Sequence, residues 1–66
     1  MDPVARIMAI GERFNAQAQE LDERAADAVD DGASEAVIMT LVNSAATFRL
    51  RALSAYQAAA PYCRPR

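Results

Sequence analysis

Small and apolar residues recur at alternating spacings of three and four along the first half of this 66-residue chain. That spacing keeps them on one side of an α-helix, which completes a turn in about 3.6 residues. The positions between them are mostly charged or amide side chains suited to solvent. The recurring positions are Val4, Ile7, Gly11, Phe14, Ala18, Leu21, Ala25 and Ala28. This pattern predicts a long helix with one packing face, which a second element must cover.

Capping residues divide the chain into two helices of similar length. Asp2 before Pro3 favours a helix start, because the carboxylate can accept from free backbone N–H groups. Gly32 is suited to the position just past a helix end, and Ser34 can cap a second helix. Pro61 ends that helix, since the residue before proline avoids helical angles. We therefore predict one hairpin domain over 1–60, with helix 1 over about 3–30, a turn at 31–33, helix 2 over about 34–60, and a C-terminal tail at 61–66.

The order of side-chain sizes predicts how the helices pair. Each helix is bulky in its first half and rich in alanine in its second. In an antiparallel hairpin the end of helix 1 faces the start of helix 2, so large side chains meet small ones at both ends. The predicted fold is an all-α, antiparallel two-helix hairpin.

Helix 2 carries more apolar surface than one partner helix can cover. One apolar seam comprises Ile38, Leu41, Ala45, Phe48, Ala52, Ala55 and Ala59, and beside it runs a second, Met39, Val42, Ala46, Leu50, Leu53 and Tyr56. A helix apolar over so much of its circumference is usually buried on more than one side. We expect the chain to dimerise into a four-helix bundle, or to dock this surface on a larger protein.

The charges are distributed unevenly along the chain. Residues 1–31 carry a net charge of −5 and residues 32–66 carry +3, with arginine supplying all the positive charge. In a hairpin that turns near Gly32, Arg49 and Arg51 should lie across from Arg13 and Asn15, which are not acidic. The charges of the two helices should therefore match poorly within one hairpin. Two hairpins packed head to tail would bring the acidic turn of one to the arginines of the other. We therefore expect Arg49 and Arg51 to orient association.

The residues that most catalytic and metal sites require are scarce. The chain has no histidine, one cysteine, Cys63, and no glycine-rich phosphate loop, which predicts a protein without a catalytic centre, cofactor or metal. Acidic residues do fall at helical spacings, at Glu20, Glu23, Asp27, Asp30 and Asp31. They lack the spacing of a calcium loop and are interpreted as a solvated face.

Three further features are open to two interpretations each. Gly11 lies on the helix 1 seam, where it admits either a close neighbour, such as Leu53 or Tyr56, or a hinge. Cys63 is either a reactive thiol or a bystander in the tail. The Arg64-Pro65-Arg66 segment is either a docking motif or a disordered end.

Together these features predict a small, non-catalytic protein–protein interaction or assembly module: an adaptor, a chaperone-like protein or a structural subunit. The expected interface on helix 2 comprises Met39, Val42, Ala46, Arg49, Leu50, Leu53 and Tyr56. Its partner would be a second copy, forming a homodimer, or a larger protein.

Composition also limits the cellular location and the class of partner that we expect. No run approaches the roughly 18 apolar residues of a membrane span, and no signal-peptide pattern opens the chain, so a cytoplasmic location is expected. A pI near 4.8 disfavours binding to nucleic acid. Two alternatives of other classes remain: an RNA-binding helical-hairpin dimer that uses Arg49 and Arg51, and a metal-binding accessory protein that uses the acidic face of helix 1.

Overall fold

A computed structural model describes residues 2–62 as two helices joined by a short turn. Helix α1 spans Pro3–Asp30, helix α2 spans Glu35–Ala59, and a 3₁₀ turn follows at Ala60–Tyr62. The helices run antiparallel and pack along their length into a rod of 51 × 16 × 16 Å. The predicted all-α two-helix hairpin is confirmed. Within the described range, no helix is long and apolar enough to cross a membrane.

Side-chain caps fix the start of each helix. The Asp2 carboxylate accepts a hydrogen bond from the Val4 N–H at 3.1 Å, and Pro3 occupies the first helical position. Ser34 has extended backbone angles, and its hydroxyl accepts from the Val37 N–H at 3.4 Å. Both caps satisfy backbone donors that have no partner inside a helix. Local sequence therefore sets where each helix begins.

The turn between the helices depends on Gly32. Its φ is 73°, in the left-handed region that glycine adopts at little cost. The Ala33 N–H donates to the Ala28 carbonyl at 2.9 Å, and the Gly32 N–H donates to the Val29 carbonyl at 3.1 Å. These two bonds form a Schellman-type cap, which satisfies carbonyls at the end of α1 and reverses the chain.

Small residues form the line of contact between the two helices. Each helix buries residues at seven-residue spacing, namely Gly11, Ala18 and Ala25 on α1 and Ala45, Ala52 and Ala59 on α2. Seven residues are about two helical turns, so each set forms a line that faces the other helix. Within residues 2–62, nothing larger than alanine is fully buried. The two backbones can therefore approach closely.

Larger side chains lie beside this line and are half-buried. They are Ile7, Phe14 and Leu21 on α1 and Ile38, Leu41 and Phe48 on α2. Counting outward from the turn places Ala25 level with Leu41 and Ala18 level with Phe48. Phe14 stacks on Phe48, with ring centroids 6.1 Å apart. This stack joins two large side chains, so the predicted matching of large with small side chains does not hold at Phe48.

We expect Ala18→Leu to destabilise the hairpin by about 1–3 kcal/mol, because three more carbon atoms must enter a fully covered position. Ala16→Leu makes the same change two residues away on an exposed position, so its effect should stay within about 0.5 kcal/mol. Urea denaturation followed by circular dichroism measures both. Equal stability of the two variants would contradict the close contact at Ala18.

Gly32→Ala should lower stability by about 1–2 kcal/mol, the cost of placing an L-residue with a side chain at a left-handed position. A Cβ at Gly32 would meet nothing within 4 Å, so the cost comes from the backbone alone. Gly32→Asn should cost less, because asparagine tolerates this conformation. The same denaturation experiment distinguishes them, and an alanine variant as stable as the asparagine variant would be inconsistent with this turn.

Candidate interaction surface

An apolar stripe on α2 remains uncovered by α1. Its large side chains are exposed to 65% at Leu50, 51% at Leu53, 46% at Met39 and 41% at Val42, and Ala46 between them is also exposed. We call these five residues the α2 stripe. At about 100° per residue they fall within an arc of about 80°, roughly 120° around the helix from the alanines that face α1. The hairpin therefore has a second packing face.

Polar groups border the α2 stripe on both sides. On the side nearer α1 lies Arg49, which contacts Asp22. On the other side lie Asn43, Thr47 and Ser54, and the Thr47 hydroxyl donates to the Asn43 carbonyl at 3.0 Å. An exposed apolar surface with a polar rim is typical of interaction sites.

Arg49 forms an ion pair with Asp22 of the same chain. The expectation that the charges of the two helices match poorly is therefore wrong at this position. Arg49 lies about 7.5 Å further from the turn than Asp22, but helical side chains lean towards the N-terminus of their own helix. In an antiparallel pair these two side chains lean towards each other. The hydrogen bond that Arg49 donates to the Asp22 carboxylate raises the pKa of Arg49 above its usual value, so the guanidinium stays charged.

Arg51, the other arginine expected to orient association, also packs within the hairpin. Its guanidinium carbon lies 5.6 Å from the centroid of the Phe48 ring, within the range of a cation–π contact. On α1, Arg24 pairs with Glu20 one turn away at 2.9 Å. These contacts leave the stripe itself free of charged groups.

Tyr56, predicted as part of the intermolecular surface, contacts α1. Its ring lies over Gly11, where a Cβ would stand 2.7 Å from Tyr56 Cε1. Asn15 Nδ2 donates a hydrogen bond to the Tyr56 hydroxyl at 3.1 Å. The prediction that Gly11 admits a close large neighbour is confirmed. Asn15 and Asp22 were not predicted as contact residues from the sequence, although the lean of antiparallel side chains indicates both.

The described hairpin offers few other candidate binding sites. Residues 2–62 contain no group of three or more His, Cys, Asp or Glu residues placed to hold a metal ion. A shallow cleft of about 250 Å³ on α1 is lined by Arg6, Ala9, Ile10 and Arg13 and is open to solvent. The predictions for Cys63 and for Arg64-Pro65-Arg66 lie outside the described residues.

Comparisons of the chain with protein-family models, curated proteins and solved structures find no significant match. The function is therefore inferred from the residues of the hairpin themselves.

Gly11→Ala tests the close contact with Tyr56. A new methyl group must displace the ring, so we expect a loss of stability of about 1–2 kcal/mol despite the better helix propensity of alanine. In a Tyr56→Ala background the ring is gone, and the same change should stabilise by up to about 1 kcal/mol. Denaturation at one fixed protein concentration measures each variant.

Tyr56→Phe is the matched control for this cycle. It removes the hydroxyl that accepts from Asn15 but keeps the ring over Gly11. Gly11→Ala should therefore remain destabilising in that background. An effect of the same sign in all three backgrounds would refute the steric explanation.

Proposed function

We propose that this chain is a small protein–protein interaction or assembly module that binds its partner through the α2 stripe. The observation that carries the proposal is the line of four large apolar side chains, each 41–65% exposed. Monomeric proteins rarely leave such side chains together in water. The role we assign is non-catalytic: adaptor, chaperone-like or structural.

The internal contact of the hairpin supports this role. Its fully buried residues are alanines and Gly11, and the large side chains beside them are only half-buried, so the contact between α1 and α2 gains less from burial of apolar area than a contact with large buried residues would. A chain of this size usually needs a supplement to such a core. Covering the stripe supplies that supplement, because the largest uncovered aliphatic side chains of α2 lie there.

Approximate free energies indicate a moderate affinity. Fully burying a Leu, Met or Val side chain contributes about 1.5–3 kcal/mol, and about half of that remains to be gained at each half-exposed position. If both partners present four such side chains, the gain is roughly 6–12 kcal/mol, against an association cost of roughly 4–15 kcal/mol. Binding of this kind depends on protein concentration.

The placement of arginines favours an apolar contact over a phosphate contact. Arg49 is paired with Asp22, and Arg51 lies over Phe48. The RNA-binding alternative relies on these two residues. A phosphate backbone would have to compete with those contacts and with the negative net charge of the chain.

Leu50→Asp and Leu53→Asp should each weaken association about tenfold or more, because a carboxylate would have to be buried in the contact. Helicity should persist, since both side chains point away from α1. Sedimentation equilibrium over a concentration series gives the dissociation constant, and circular dichroism gives the helix content.

Thr40→Asp is the matched control. It adds the same charge to an exposed position of the same helix, about 120° from the centre of the stripe. Association of this variant should equal that of the unmodified chain. Loss of association in Thr40→Asp but not in Leu50→Asp would overturn the proposal. An unmodified chain that stays monomeric at high micromolar concentration would exclude a second copy as the partner.

A further inference from the structure

We propose that the partner on the α2 stripe is a second copy of this chain, packed antiparallel about a twofold axis that passes beside Ala46. This inference rests on the proposed function and specifies the partner, the orientation and the register. Three independent features of the hairpin support it.

The stripe is symmetric about Ala46. Its residues follow one another at spacings of three, four, four and three, so the pattern is the same in both directions. A twofold contact requires a surface that complements itself, because residue i of one copy meets residue j of the other and j meets i. With the axis at Ala46, Met39 of one copy lies opposite Leu53 of the other, and Val42 lies opposite Leu50. Each large residue meets another, and the smallest lies where the helices cross.

The axis also falls near the middle of α2. The helix spans Glu35–Ala59, and Ala46 is one residue from its midpoint. Two antiparallel copies of α2 centred there overlap along nearly their whole length. The contact then covers the entire stripe, about 21 Å from Met39 to Leu53, without leaving either end over solvent.

Charge distinguishes the antiparallel arrangement from a parallel one. The half of the hairpin next to the turn, residues 17–47, contains seven acids and one arginine, a net charge of −6. The open half, residues 2–16 and 48–62, contains two acids and four arginines, a net charge of +2. An antiparallel pair brings each acidic half to a basic half, whereas a parallel pair brings the acidic halves together. Such charges orient partners more than they stabilise them.

Disulfide trapping in the full-length chain measures the register. All variants carry Cys63→Ser, which removes the native thiol, and one new cysteine at a stripe position. Met39→Cys and Leu53→Cys, distinguishable by a mass tag, are mixed in a glutathione redox buffer. In the proposed register the mixed 39–53 disulfide should exceed either homodisulfide by about tenfold or more, because a disulfide needs Cα atoms within about 7 Å. In that register the Cα atoms of two copies of position 39 are about 21 Å apart along the helix.

Ala46→Cys and Thr40→Cys are the controls. Position 46 of one copy lies opposite position 46 of the other in both the antiparallel and the in-register parallel arrangement. Ala46→Cys should therefore form a disulfide whenever the stripe is the contact. Thr40 lies on the polar side of α2, so Thr40→Cys should not link beyond the background. Circular dichroism of each reduced variant checks that the hairpin is folded.

The outcomes separate the register from the proposed function. A dominant 39–53 disulfide with linkage at position 46 supports the inference. Homodisulfides at positions 39 and 53 with linkage at 46 indicate a parallel dimer, which overturns the register but leaves the interaction role of the stripe. A dimeric mass without linkage at 46 shows that another surface associates, which overturns the inference and contradicts the proposed function. A monomeric mass shows that no second copy binds, which overturns the inference and leaves a different protein as the partner of the stripe.

Discussion

Close approach of α1 and α2 depends on residues no larger than alanine at every fully buried position of the described hairpin. Most other features follow from this constraint. Large side chains cannot lie on the line between the helices, so Phe14 and Phe48 stack beside it. The ring of Tyr56 fits over α1 only because Gly11 has no Cβ. The large aliphatic residues of the α2 stripe lie on a different face, where α1 does not cover them.

The fold could be predicted from sequence because its determinants are local. Asp2, Ser34 and Gly32 act within a few residues of their own positions, and the spacing of apolar residues defines the inner face of each helix. The contact between Asp22 and Arg49 could not be predicted by comparing how far each residue lies from the turn along the hairpin. Their Cα atoms lie more than one turn apart, and only the lean of antiparallel side chains brings the charges together.

The candidate surface could be predicted in part, for a similar reason. Helical periodicity separates the α2 stripe from the alanines that face α1, and the structure shows those five positions exposed. Tyr56 lies at the edge of the stripe, where a long side chain can turn either way, and its direction depends on the space above Gly11 and on Asn15. Periodicity alone does not contain that information. Local sequence patterns do not identify a partner, because its identity also depends on the surface of the partner.

In this hairpin the small apolar residues are buried between the helices, whereas several larger apolar residues are exposed at the surface. Burial of alanine contributes little free energy and the large side chains beside the alanines are only half-buried, so the contact between α1 and α2 leaves much apolar area to be covered by a partner. On the proposed function, the partner supplies the missing stabilisation by covering Leu50, Leu53, Met39 and Val42. Folding and association are then linked, since a partner that binds only the folded hairpin raises its stability in proportion to the logarithm of the partner concentration. Larger residues between the helices would force α1 and α2 apart, as expected for Ala18→Leu, and that would separate Tyr56 from Gly11 and Arg49 from Asp22.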